Sequence, residues 1–137
     1  MAESRDSDEF YWYDPPMRGQ LSIETLHIPA KLKKTILRQP YIITVNQDFE
    51  DVIDGCAALT SDRKETWINK GILDLFIQLH KEGHAHSIEA RDHDGALVGG
   101  LYGLSLGGAF MGESMFSRAT DASKMALIAL CAQLWKQ

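Results

Sequence analysis

Two glycine turn signals, Asp94-Gly95 and Gly107-Gly108, cut the stretch from His84 to Glu113 into three segments rich in apolar residues. Glycine enters the left-handed backbone of a tight turn without a side-chain clash, so each signal predicts a hairpin. The expected strands are His84–Arg91, Ala96–Leu106 and Ala109–Glu113, antiparallel in sequence order. The middle one carries Gly99, Gly100 and Gly103. Three glycines weaken a strand unless a backbone, a ring or a ligand must approach it closely.

Helical periods flank this run. Asp48 is placed to cap a helix whose Phe49, Val52, Ile53 and Cys56 share a face. Asn69 is placed to cap another, with Ile72, Leu75, Phe76 and Leu79 as its stripe and Gly83 as its stop. Pro29 to Gln39 predicts a short helix with proline in its first turn, and Tyr41–Val45 a strand. Residues 60–66 are polar and read as loop. Phe10-Tyr11-Trp12-Tyr13 reads as a strand or extended run stopped by Asp14-Pro15-Pro16. Asp121 or Ser123 opens a last helix to Trp135, apolar on two sides: Ala122, Met125 and Ala129 on one, Leu127, Leu130 and Leu134 on the other. Such a helix packs on two sides or walls a pocket. The order predicts an α+β domain, a mostly antiparallel sheet flanked by helices, over residues 10–137, with residues 1–9 an acidic flexible lead.

Charge is unevenly placed. The chain of 137 residues carries 14 Lys+Arg against 19 Asp+Glu, a net −5. No acid occurs from Thr25 to Gln47, where Lys31, Lys33, Lys34 and Arg38 stand. Either the segment is reserved for an anionic partner, tRNA among the candidates, or it is a solvated helix face. Cys56 and Cys131 are too few for a disulfide framework and are expected as reduced thiols in a cytoplasmic protein. No apolar run reaches the ~18 residues of a membrane span, and the polar, acidic start is expected to be neither signal nor transit peptide.

Three constellations invite chemistry. His80, His84 and His86 lie near Glu82 and Glu89. Gly83 interrupts the helix between the first two, and no third ligand has a metal-site spacing, so ordinary hydrogen bonds are expected and no metal. Gly112-Glu113-Ser114-Met115-Phe116 lacks the final glycine of a nucleophile elbow. Glu113 sits among Phe110, Met111, Met115 and Phe116, where a carboxylate is costly unless it meets a cationic ligand or an internal partner such as Arg118. The glycines of 99–112 fall within strands and turns rather than before a helix, which disfavours a pyrophosphate cradle and an acyl-CoA acyltransferase.

Several blocks carry a resemblance: Leu26-His27-Ile28, Thr66-Trp67-Ile68, Leu79-His80 with Gly83-His84-Ala85-His86-Ser87-Ile88-Glu89, Leu97 to Gly103, and Gly112-Glu113-Ser114-Met115-Phe116-Ser117-Arg118 with Ala122-Ser123-Lys124. In order and without large gaps, residues 10–135 resemble the leucyl/phenylalanyl-tRNA–protein transferases. The resemblance implies a GNAT-like core without CoA or any other cofactor. It implies transfer of Leu or Phe, with Met as a further candidate, from aminoacyl-tRNA to the N-terminal Arg or Lys of proteins, tagging them for N-end-rule degradation. By position Glu113 matches the motif carboxylate where the substrates meet. Leu101, Phe110, Leu127, Leu130 and Leu134 match the apolar aminoacyl pocket, and Trp67 and Ser114 match substrate-site positions. A pocket without polar groups favours Leu and Phe because only apolar side chains gain from burial there. The implied partners are aminoacyl-tRNA, on Lys31, Lys33, Lys34 and Arg38, and an Arg- or Lys-headed protein, with the enzyme a monomer.

Three departures accompany the match. The family's earlier Gly-Ile/Leu-Phe-Pro segment is absent, so Met1 is expected at an internal methionine of a longer gene. The family's Asp-x-Gln strand, whose pair polarises the attacking amine, would follow Gln137. Ala90-Arg91 stand where the family has Val-Trp. The chain as given is therefore expected to turn over little, and a non-catalytic tRNA- or N-terminus-binding fragment is the alternative.

Overall fold

Both turns form. Gly95 and Gly107 adopt φ of +89° and +57°, and the segments around them make a meander. The computed structural model describes residues 1–136; Gln137, the end of the expected domain, lies outside the described residues. The elements are α1 (Ala30–Arg38), β1 (Ile42–Val45), α2 (Phe49–Ala57), α3 (Lys70–Lys81), β2 (Ala85–Arg91), β3 (Leu97–Leu106), β4 (Ala109–Ser117) and α4 (Ala122–Trp135). One antiparallel sheet in the order β1-β2-β3-β4 carries them, an α+β fold.

Register assigns the two faces. Thr44, Glu89, Gly100 and Phe116 form one cross-strand row, and Ser87, Tyr102 and Ser114 the next. This face meets α2 and α3 through a core of Phe49, Val52, Ile53, Cys56, Ile72, Phe76, Tyr102 and Phe116. The opposite rows hold Ile88 and Leu101, which pack with Ala126 and Leu130 of α4. The strand glycines are explained by close approach. A Cβ on Gly99 would lie 2.6 Å from that of Ala122, and one on Gly100 2.9 Å from the Ile88 carbonyl. The helix therefore rests directly on the strand.

Local expectations are met unevenly. Asn69 caps α3, its Oδ1 accepting the Ile72 N–H at 2.9 Å. Asp48 precedes α2 but caps nothing through its side chain, because its carboxylate pairs with Arg91. Asp121 sits in left-handed backbone before α4 without a side-chain cap, and Ser117 Oγ instead accepts the Ser123 N–H at 3.3 Å. β4 runs on to Ser117, past the expected end at Glu113. Phe10–Tyr13 is not a strand; Tyr11 N–H bonds the Met1 carbonyl at 2.9 Å, and Phe10 packs on the α2/α3 core. Within residues 1–9, Ala2 is buried and donates to the Trp67 carbonyl, while Asn69 Nδ2 holds the Ser7 carbonyl at 2.8 Å.

Candidate functional site

Glu113 stands on a β-bulge. Tyr102 pairs with Ser114 and Gly103 with Gly112, so Glu113 is the extra residue with no partner across the ladder. A bulge bends a strand and re-aims a side chain, and here it takes the carboxylate out of the alternation of β4. Gly103 makes room on the facing strand: any Cβ there would lie 2.2 Å from the Met111 carbonyl and 2.6 Å from the Phe110 ring. Glu113 is half-buried. Burial raises its carboxyl above the ordinary range, against opposing effects of the Met1 ammonium and the Arg18 guanidinium. Arg18 also reaches Met111 Sδ at 4.0 Å and Asp14 at 3.1 Å. The internal partner expected of Glu113, Arg118, is engaged elsewhere. Its guanidinium lies 5.0 Å over the Phe116 ring and donates to the Leu97 carbonyl at 3.3 Å.

Behind the bulge lie two further groups. Tyr102 is fully buried, edge-on to Phe49 and Phe76, and its hydroxyl has no partner among the described residues. Burial, with smaller contributions from Cys56 and Glu113, holds that phenol far above the ordinary tyrosine range. Burial also pushes the Cys56 thiol up to about 11, against smaller effects of the Ser114 hydroxyl and the Arg63 charge. A thiol so disposed stays protonated at neutral pH and is a poor nucleophile.

Leu101 and Leu130 are buried, and Phe110, Leu127 and Leu134 pack around them in one cluster between β3, β4 and α4. Trp67 belongs to the other cluster, under α2 and α3, and Ser114 faces the same side. The sheet thus separates Trp67 from the leucines, with Glu113 on the edge strand between the two faces. Two of the surface clefts are lined by no leucine of the cluster. One, of about 370 Å³, is bounded by Gln47, Asp48, Phe49, Glu50, Asp51 and His80. The other, of about 260 Å³, lies along the end of β4.

The basic segment forms α1, which buries no residue. Lys31, Lys33, Lys34 and Arg38 are all exposed, and among the described residues none has an acidic partner. The histidines disperse. His80 stacks on Phe49 at 4.3 Å and bonds the Ala85 carbonyl at 2.8 Å, while His86 meets Asn46 at 3.0 Å. Among the described residues no three of His, Cys, Asp or Glu converge as ligands. Among the described residues no helix is long and apolar enough to cross a membrane.

Sequence reasoning passes over Tyr102, Cys56, Arg18 and Arg63 as site residues. A signal for the bulge exists: the apolar pairs Phe110-Met111 and Met115-Phe116 on either side of Gly112-Glu113 break the period of two. Nothing local marks the other four.

Comparison with known proteins places this arrangement. A family model described as leucyl/phenylalanyl-tRNA protein transferase matches residues 20–137. Proteins named leucyl/phenylalanyl-tRNA–protein transferase match over 98% of this chain. The one from Ruegeria sp. is 54% identical with 61% of its length covered, that from Paramagnetospirillum magneticum 52% with 64%, and that from Dinoroseobacter shibae 50% with 58%. The chain thus spans somewhat over half the length of these relatives. With the match running through α1, the Glu113 bulge and α4 alike, the chain belongs to the leucyl/phenylalanyl-tRNA–protein transferase family.

Proposed function

We propose that the protein acts in the transfer of leucine or phenylalanine, with methionine as a further donor, from aminoacyl-tRNA to the N-terminal Arg or Lys of a protein. The product is marked for N-end-rule degradation, and the work is done in the cytoplasm on a GNAT-like core that takes no CoA. The observation that carries this reading is half-identity, along nearly the whole chain, to proteins named for the reaction.

The chemistry needs little activation. The attacking α-amine gives up its ammonium proton and forms the new C–N bond at the ester carbonyl. The ester C–O bond breaks, and the tRNA ribose hydroxyl leaves with a proton. Since the ester is already activated, alignment in a dry site is the main requirement. Glu113, half-buried on its bulge, is suited to holding the cationic head of the acceptor protein. The cluster of Leu101, Phe110, Leu127, Leu130 and Leu134 is apolar throughout and suits a Leu or Phe side chain. Trp67 and Ser114 are assigned to the substrate site, and the exposed cations of α1 to tRNA phosphates.

The test uses the protein expressed from its complete reading frame, with Phe-tRNA and an Arg-headed peptide. Transfer is expected, and Glu113→Ala should lower it by roughly 1–3 kcal/mol, the size of a charge-assisted hydrogen bond. Absence of transfer from the unaltered protein would overturn the assignment. Normal peptide transfer by a folded Glu113→Ala would remove Glu113 from recognition.

A further inference from the structure

The cleft at the end of β4 has no place in the site described above, and its lining is unusual for an acidic chain. Gly55, Ala58 and Thr60 bound it from the exit of α2, Arg63 from the loop beyond, and Met115 to Arg118 from the edge strand. Arg63 and Arg118 therefore line one cleft of about 260 Å³. Neither is neutralised: among the described residues the ion pairs involve Arg18, Lys70, Arg91 and Lys124. Both are nevertheless held. Arg63 Nη2 donates to the Ala58 carbonyl at 2.6 Å. Arg118 lies over the Phe116 ring and donates to the Leu97 carbonyl. Neutral acceptors and a ring face fix the two side chains without cancelling their charge, and N–H groups not used in these bonds remain to donate. Thr60 adds a hydroxyl to the wall, while that of Ser117 donates to the Ala119 carbonyl at 2.8 Å. Planar forks in fixed positions, beside one hydroxyl, suit a tetrahedral oxyanion better than a point charge would.

We propose that Arg63 and Arg118 form a phosphate-binding site, and that its ligand is a phosphodiester of the single-stranded acceptor end of tRNA. This rests on the proposed transfer reaction. The cleft is too small for an RNA stem but admits one phosphate and its sugar. Met115 to Arg118 follow Glu113 on the same strand, roughly 7–17 Å along it at the usual rise per residue. An ester brought to an acceptor amine held at Glu113 thus leaves a phosphate close behind it within reach of the arginines. The cations of α1, on a separate helix, remain for the body of the tRNA.

The experiment measures binding, not transfer. Fluorescence anisotropy follows a labelled single-stranded oligonucleotide of the acceptor-end sequence on the complete protein, on Arg63→Gln/Arg118→Gln and on Arg63→Lys/Arg118→Lys. The glutamine pair should weaken binding about tenfold and flatten the salt slope by about 0.7 for each phosphate no longer neutralised. The lysine pair should keep the slope but not the affinity, because charge remains while the fork is gone. Affinity unchanged in the glutamine pair would overturn the site, as would failure of the complete protein to bind the oligonucleotide while transferring normally. Calorimetry with inorganic phosphate distinguishes the source: a free anion binding as tightly as the oligonucleotide would overturn the RNA assignment. Reduced thermal stability in both variants with RNA binding intact would make the arginines structural and also overturn it. Absence of transfer from the unaltered protein is a separate result, bearing on the function proposed above.

Discussion

Tyr102 and Glu113 show opposite uses of a buried polar group. The Tyr102 hydroxyl is sealed among Phe49, Phe76 and Cys56 with nothing to bond among the described residues, and such a group costs about 1–3 kcal/mol in desolvation. Tyr102→Phe should therefore raise stability by about 1 kcal/mol, seen as a higher unfolding midpoint in urea; a lower midpoint would mean that the hydroxyl has a partner. Glu113 also strains against its surroundings, since burial raises its carboxyl. The sign follows from linkage. A folded-state value above the unfolded one stabilises only below the ordinary carboxyl range, about 4.3, and that contribution disappears as pH rises through the raised value. Glu113→Gln should thus stabilise the fold near neutral pH, by less than about 1 kcal/mol because the group is half-exposed, and the gain should vanish in acid. Transfer to an Arg-headed peptide should fall in the same variant. A residue whose removal helps folding and harms activity is one retained for function. Glu89 is the contrast: fully buried, it accepts from Ser87 Oγ at 2.5 Å and Thr44 Oγ1 at 2.6 Å, a carboxylate satisfied by hydroxyls.

At the scale of elements, the contact of β3 with α4 sets the tolerance of the sheet. Gly99 lets the first turn of α4 lie on the strand, where an added Cβ would meet the Ala122 methyl at 2.6 Å and helix backbone at 3.1 Å. None of these atoms is the end of a flexible side chain. Gly99→Ala should cost about 1–3 kcal/mol, the usual range for overpacking, whereas Gly112→Ala, with nothing within 4 Å of the new methyl, should be close to neutral. Urea unfolding of the two variants side by side tests this, and equal stabilities would mean that α4 shifts freely. A shift of α4 would also move Leu127, Leu130 and Leu134, so the same glycine bears on the shape of the apolar cluster.

For the molecule as a whole, α1 stands apart. It buries nothing, and its four cations are exposed without acidic partners among the described residues. Replacing Lys31, Lys33, Lys34 and Arg38 by Gln should leave the thermal unfolding of the domain within about 0.5 kcal/mol of the original, as for other surface changes. The same variant should bind tRNA more weakly with a flatter salt dependence, because fewer counterions are released. Filter binding over a salt series measures it, and an unchanged slope would make α1 an ordinary solvated face.

The meander, the helix stripes and the Asn69 cap are legible because each depends on neighbours a few residues apart: a glycine pair opens a turn, a period near 3.6 makes a face, an amide bonds the N–H three residues on. The family blocks are legible for the same reason, as unbroken local strings. What escapes depends on which distant strands and loops meet. Asp48 reads as a cap until β2 brings Arg91 to it, and Phe10–Tyr13 reads equally as a strand or an extended run, until the fold leaves it unpaired in any sheet among the described residues. Glu113 can be singled out from its apolar company, but only the β3–β4 register makes it the unpaired residue of a bulge. Arg63 and Arg118, 55 positions apart, share a cleft because α2 ends beside β4. Local periodicity is written in the chain itself, while register and convergence are set by long-range pairing and decided only by the tertiary structure.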